Sequence, residues 1–597
     1  MAEKIISPGV FTNEIDQSFL PSAVADIGAA LVGPTLKGPA GIPTVVTSYS
    51  DFQAKFGDVF KSGSDSYQFL TSHAAEEYLK NANSLTVVRV LDGAFAPASA
   101  SVANSTTTAF TLETLADGTI MNNETTDVTT NNIIANGSVH NIRYEISNIN
   151  NSKGTFNVSI RAGNDNIKRK QILEGFNNVS LDPNSNDYIS KVIGDQRQNV
   201  GTDGTTKYLK LSGSFTNKSR LVRVQSVATP LIDYLDENGS LSDSTGATSA
   251  SLPTAGSGSS QGGFSGGLNG YFGISADGTV AGADAATGSA ANFYENISTQ
   301  TQGFKPEDLT TADGGAGYAE ALDLLANQDE FDVNLILTPG LIHSVHTAVT
   351  NKVIDVCESR GDCFAIIDPV VYDKNPADAV TEADKLNSNF AALYYPWIKI
   401  PDSQVAGAQR WVPPSTVLGG VYAFNDRVAH PWFAPAGLNR GGITTAIQAE
   451  RKLTQGERDT LYDSNVNPIA TFPGQGVTVF GQKTLQKKAS ALDRINVRRL
   501  LIRVKKFIAS SSRFLVFEQN TAATRRRFLG IANPFLEQIQ AQSGLSAFRV
   551  VMDETNNTPD TIDRNQLIGQ LFLQPTRTAE FIVLDFTIQP TGASFPE

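Results

Sequence analysis

The sequence predicts a multi-domain protein of class α/β plus β. An α/β core is interrupted by a β-rich outer insertion, followed by an α+β C-terminal domain, with extended arms at both ends. Three observations predict this. Apolar strand-like runs alternate with helical stretches on both sides of a long interruption, the pattern of a mostly parallel sheet. Between about residues 94 and 303 the texture changes to Ser, Thr, Asn, Gly and Asp with short alternating runs. Strand-like segments stand near both ends of a chain of 597 residues, long enough for several domains. The divisions are an N-terminal arm 1–20, core 21–93, insertion 94–303, core 304–470, C-terminal domain 471–579 and C-terminal arm 580–597.

The elements follow in order. Pro8-Gly9 interrupts any helix, and Val-Phe-Thr-Asn-Glu-Ile at 10–15 has strand character. Residues 25–33 are apolar enough for a buried strand, and 45–47 form a brief one. Ser50 and Asp51 cap a short helix over 52–56, which Gly57 ends. Residues 67–80 have helical periodicity, and 85–91 form a buried strand. In the insertion, strands are expected at 142–149, 155–161 and 221–227, and the Gly/Ser-rich 245–270 is expected to be a surface loop. The α/β pattern then returns with a helix at 318–326 and a strand at 333–338 ended by Pro339-Gly340. It continues with a helix at 343–360, a strand at 363–368, a helix at 381–390 and a strand at 392–395.

Composition narrows the function. Hydrophobic content is 40% and net charge is −13, which argues against general nucleic-acid binding. Two cysteines, Cys357 and Cys363, supply no disulfide framework or metal set and fit assembly in a reducing cytoplasm. No apolar run spans a bilayer, and the first residues show no signal-peptide core. Candidate chemistry is thin. Asp368 ends a predicted strand, where α/β enzymes keep catalytic groups, but Asp-Pro there is also an ordinary turn. His343 and His346 stand three apart without an H-E-x-x-H pattern, which favours a capped helix start and a surface histidine over a metal. The Gly-rich run at 256–263 lacks the G-K-[ST] ending of a phosphate loop. No enzyme, metal or cofactor is indicated.

The charge is concentrated late in the chain. Between 494 and 527 stand ten Arg or Lys residues against Glu518 alone. In the helical run 493–508, Ile495, Leu500, Leu501, Val504, Phe507 and Ile508 form an apolar stripe. Arg498, Arg499, Arg503, Lys505 and Lys506 occupy the remainder, with Arg525, Arg526 and Arg527 on a second helical segment. A solvated face is one reading. Like charges at i and i+4 cost roughly 0.2–0.5 kcal/mol per pair, however, so an acidic partner surface explains the clustering better. At the two ends, residues 10–15 and 581–588 are strands whose apolar side chains call for a cover, either within the subunit or by addition to a neighbour's sheet.

Several motifs, taken together, resemble the contractile tail sheath proteins of myophages, nearest the T4-like branch. Ser7-Pro-Gly-Val-Phe-Thr-Asn-Glu-Ile15 resembles the family's opening strand, and Val32-Gly-Pro with Lys37-Gly-Pro-Ala its turns. Val412-Pro-Pro-Ser415, Gly419-Gly-Val-Tyr-Ala-Phe-Asn-Asp426, Trp432 and Ala434-Pro-Ala-Gly are similar to its central block. Phe480-Gly-Gln-Lys-Thr-Leu485, Ile495-Asn-Val-Arg-Arg-Leu500 and Val516-Phe-Glu-Gln-Asn520 are similar to its late motifs, with Gln519 where many members have proline. The resemblance covers roughly 8–92 and 304–595 and leaves the insertion unmatched. It implies a structural protein of the virion tail, assembled in the host cytoplasm as stacked six-fold rings around a tail tube. Contraction drives the tube through the host envelope. Its partners would be itself, the tail tube protein, and baseplate and tail terminator proteins, with neither nucleic acid nor direct membrane insertion. Carried onto this chain, Val10, Phe11, Glu14, Ile15, Phe581, Val583, Asp585 and Thr587 would be inter-subunit strand arms. Arg498, Arg499, Arg503, Lys505, Lys506, Arg525, Arg526 and Arg527 would face the tube. The rival readings are an adhesin or receptor-binding tail protein that uses the insertion, and an enzyme built on Asp368.

Overall fold

The computed structural model describes residues 28–581 apart from 63–64, 106, 124–133, 135, 205, 237, 243–250, 255–260, 271–303, 305, 307, 312–313 and 403–406. The proposed arm residues Val10, Phe11, Glu14, Ile15, Val583, Asp585 and Thr587 lie outside the described residues.

Its centre is an eight-stranded sheet. Across it run Thr44–Val46, Leu85–Arg89, Gly28–Gly33, Val333–Ile342, Phe364–Asp368, Ala391–Tyr395, Val466–Phe472 and Gly476–Val479. The six inner strands are parallel, and one antiparallel strand closes each side. Leu31 stands between Val87 and Leu337. Segments from before and after the insertion are therefore neighbours in one sheet, as the alternating pattern predicts.

Both faces of the sheet are covered, which parallel strands with continuous apolar runs require. The helices Leu70–Leu79 and Ser415–Val428 pack on one face with Phe52, Phe56 and Trp397. Gly315–Leu325, Thr347–Arg360 and Pro376–Ala383 pack on the other.

The insertion is antiparallel. One four-stranded sheet holds Ile172–Ser180, Thr155–Ala162, Ile142–Asn150 and Gln261–Gly263. Another holds Val222–Val227, Thr108–Asp117, Phe95–Ala103 and Leu268–Asn269. Phe110, Phe156 and Val158 join the same buried cluster as Val32 and Val88, so the insertion is packed onto the core and not merely hung from it. Parts of 245–270, expected as loop, complete both sheets because glycine backbone can still pair.

Other differences have local causes. Ser48, rather than Ser50 or Asp51, caps Tyr49–Phe56 by accepting the Asp51 N–H at 3.1 Å. Gly57, at φ 74°, ends that helix as expected. The strand Val333–Ile342 runs through Pro339-Gly340, where a register shift absorbs the proline and Gly340 takes φ 92°. The helix expected at 381–390 is instead Pro376–Ala383. Pro376 opens it, and Asp378 accepts the Asn375 N–H at 3.0 Å. Gly476–Val479 pairs with Val466–Phe472, so the core sheet continues past residue 470.

Candidate assembly surface

The basic helix Ile495–Ser512 is the joint between core and C-terminal domain. Ile495 and Ile502 pack under the core sheet, while Leu500 and Val504 pack with Trp432, Leu536, Ile539 and Leu545. Two apolar flanks leave little of the helix for solvent. Four of the eight proposed tube-facing cations are accordingly buried in contacts within the subunit.

The Arg498 guanidinium lies 3.6 Å from the centre of the Phe390 ring, and burial pushes its pKa down to about 10. Arg499 donates to Asp426 at 2.5 Å and covers the Tyr422 ring at 4.8 Å, while the Tyr422 and Tyr394 hydroxyls share a 2.6 Å hydrogen bond. Lys506 reaches Asp332 at 2.6 Å and Asp362 at 3.2 Å. Arg525, on the helix Ala522–Ala541, is buried and donates to Asn520 at 3.1 Å. The expectation of one outward basic stripe fails for these four: Arg498, Arg499 and Lys506 meet partners from distant segments, and Arg525 folds back on Asn520 just before its own helix. Lys505, Arg526 and Arg527 are exposed, and Arg503 is half-buried.

Two features escaped the sequence reading. The first is a hairpin of Leu545–Val551 with Gln570–Pro575, which gains no third strand among the described residues. One of its faces packs Phe548, Val550, Leu571 and Leu573 against the helices, and Phe572 is exposed on the other. The period-two alternation Gln-Leu-Phe-Leu-Gln is the signal that reveals it. Two strands alone are marginal in water, so this sheet is short of strands by itself.

The second is a clasp on Glu580, the first residue of the segment expected as a C-terminal arm. Arg494 holds its two carboxylate oxygens at 2.7 and 3.0 Å. Gln482 donates at 2.9 Å and the Tyr462 hydroxyl at 3.0 Å. Burial opposes the charge, but these hydrogen bonds outweigh it and hold the Glu580 pKa below the usual carboxylate range. The next residue, Phe581, is exposed and is the last of the described residues.

The residues considered for catalysis are accounted for structurally. Asp368 is fully buried and accepts from the Ser415 N–H at 2.9 Å and hydroxyl at 2.5 Å, capping the start of Ser415–Val428. His343 and His346 precede the helix Thr347–Arg360 and are buried, not on the surface. His346 Nδ1 accepts the Ile342 N–H at 3.0 Å, turning the chain out of its strand, and His343 Nδ1 pairs with the Thr350 hydroxyl at 2.9 Å. Cys357 and Cys363 are buried and reduced. Among the described residues no group of His, Cys, Asp and Glu could hold a metal, and no helix is long and apolar enough to cross a membrane.

Two family models match the chain: the phage tail sheath protein central domain over residues 314–485 and the phage tail sheath C-terminal domain over 487–589. The chain is 32% identical over 342 residues to the tail sheath protein of Vibrio phage KVP40, covering 51% of each chain. It is also 32% identical over 328 residues to that of Enterobacteria phage T4, covering 51% of this chain and 49% of that one. The matches therefore span about half the length of these relatives. Among solved structures, the sheath tail protein of Listeria innocua shares the fold at 11% identity and TM-score 0.50, covering 93% of this chain and 96% of that chain. Residues 314–485 and 487–589 are thus similar to the central and C-terminal domains of phage tail sheath proteins.

Proposed function

We propose that this chain polymerises as stacked six-fold rings around a tail tube and that the polymer shortens to drive the tube through a host envelope. Support comes from the family and from one structural observation. The C-terminal hairpin, packed on one face, presents two strand edges without partners among the described residues. Strand segments of neighbours, around Val10–Ile15 in sequence or beyond Phe581, would extend it. Each added backbone hydrogen bond contributes about 1 kcal/mol, so several are needed to hold a neighbour.

A contact of this kind is heterologous, because donor arm and acceptor hairpin are different surfaces, and a heterologous contact that does not close builds a helical tube. Strand links tolerate subunit rotation. Exposed cations tolerate release, since surface charge contacts are individually weak and screened by salt. Lys505, Arg526, Arg527 and the half-buried Arg503 are the candidates to face an acidic tube. Tail tube, baseplate and tail terminator proteins are the proposed partners, and the virion tail the location. Electron microscopy of the purified protein, alone and with tail tube protein, tests this. Hollow striated tubes around a lumen are expected. Discrete particles under both conditions would overturn it.

A further inference from the structure

The loop between the helices Ile495–Ser512 and Ala522–Ala541 carries an apolar tip that the subunit leaves in water. Phe514 is 80% exposed, Val516 62% and Phe517 fully, while Leu515 between them is buried with Phe528, Ala532 and Met552. Together the three expose roughly 400 Å², the size of the largest apolar patch on an ordinary monomer, and such patches commonly mark binding surfaces. Phe517 also stands at φ 70°, in the left-handed region that a bulky side chain rarely adopts. The turn is held from both sides. The Val516 N–H donates to the Arg513 carbonyl and the Glu518 N–H to the Leu515 carbonyl, each at 3.2 Å. Beyond it, the Asn520 amide donates to the Gln566 carbonyl at 2.9 Å and the Thr524 hydroxyl to the Gln519 carbonyl at 2.7 Å. A strained, fixed backbone that presents an aromatic ring to solvent adds nothing to the packing of the subunit, and strain of this kind gathers at binding sites.

The surroundings of the tip specify what covers it. Arg526 and Arg527 are exposed in the second turn of Ala522–Ala541 and form no ion pair among the described residues, whereas Arg513 at the start of the loop is paired with Asp329 at 2.5 Å. The helix rise places Arg526 and Arg527 only about 6–8 Å along the axis from the helix start that the loop enters, so one partner surface covers both features. Aromatic side chains beside free cations fit an apolar hollow with an acidic rim. We propose that Phe514, Val516 and Phe517 are an apolar anchor that seats in such a hollow on the tail tube protein, with Arg526 and Arg527 on its acidic rim. This rests on the reading above that those two cations face the tube, and it gives the same contact a component that salt does not screen. A rigid tip gives up little freedom on seating, so a small contact can hold.

Co-sedimentation of the full-length subunit with polymerised tail tube protein, at low and at high salt, tests this. Phe514→Ser is combined with Phe517→Asn, because asparagine is polar and accepts a positive φ. The double variant is expected to melt at or above the temperature of the unaltered subunit and to form the same polymers in the absence of tube protein. It should lose at least ~10-fold in tube affinity at both salt concentrations, the scale of an aromatic anchor. Arg526→Glu with Arg527→Glu should instead lose affinity mainly at low salt. Unaltered affinity of the double variant at high salt would overturn the proposal while leaving the cations on the tube. A melting temperature several degrees lower would overturn it too, making the tip a structural support. So would loss of the polymers formed without tube protein, which assigns the tip to a second copy. An unaltered subunit that binds no tube at either salt concentration would overturn the reading of the whole face, and this anchor with it.

Discussion

The central sheet and the C-terminal hairpin solve the same problem to different degrees. The sheet has eight strands, antiparallel closing strands at both sides and helices over both faces. The hairpin has two strands, one covered face and the exposed Phe572. A subunit with the first feature alone would be a self-sufficient monomer. The second leaves strand edges without partners among the described residues. The basic helix Ile495–Ser512 ties the two together, meeting the core through Arg499, Lys506 and Ile502 and the hairpin's cluster through Leu500 and Val504.

The largest expected effect breaks the comparison at the hairpin. Deleting residues 1–15 should abolish polymers in the electron microscope while circular dichroism still shows a folded subunit. Normal tubes from that deletion would sink the arm-exchange idea.

Next in size is the joint. Arg499→Ala leaves Asp426 without its buried partner and should cost about 2–4 kcal/mol in urea unfolding. Arg527→Ala, at an exposed position, should stay within about 0.5 kcal/mol. If the two cost the same, the assignment of Arg499 to an internal role is wrong.

The pH response sharpens the contrast further. Burial raises the Asp368 pKa to about 7 from its ordinary 3.8, with the Ser415 hydrogen bonds pulling the other way. The folded state then holds a proton that the unfolded chain releases. This contribution is complete below about pH 4 and is lost as pH rises through 7. Glu580 has the opposite sign: its pKa is depressed, so its contribution is present above the ordinary carboxylate range and is lost on acidification. Asp368→Asn should flatten the stability profile between pH 4 and 7, and Glu580→Gln should flatten it on the acid side. Unchanged melting profiles would contradict both assignments.

The smallest effect belongs to the exposed cations. Arg526→Glu with Arg527→Glu should leave stability within about 0.5 kcal/mol and weaken co-sedimentation with tail tube protein, more so at low salt. Equal co-sedimentation would remove these residues from the tube face.

The core was legible because its information is local. The strands at 85–89 and 333–342 are near-continuous apolar runs, and a residue such as Gly57 announces its turn within a few positions. The fates of the cations were not legible. Phe390 and Asp426, which receive Arg498 and Arg499, come from elements far back in the chain and share no periodicity with the helix they meet. His343 and His346 were misplaced for a similar reason. A histidine before a helix is as compatible with a surface cap as with the buried turn that Ile342 and Thr350 complete. The hairpin was legible in principle from the alternation at 570–575, but that pattern says nothing about how many strands will join it.

Hydrogen exchange at the hairpin, compared between dispersed subunits and assembled tubes, tests the central claim most directly. The amides of Leu545–Val551 and Gln570–Pro575 that point outward should slow by at least ~10-fold on assembly, while those of the core strand Val333–Ile342 stay unchanged. Hairpin amides that exchange equally fast in both states would contradict the account.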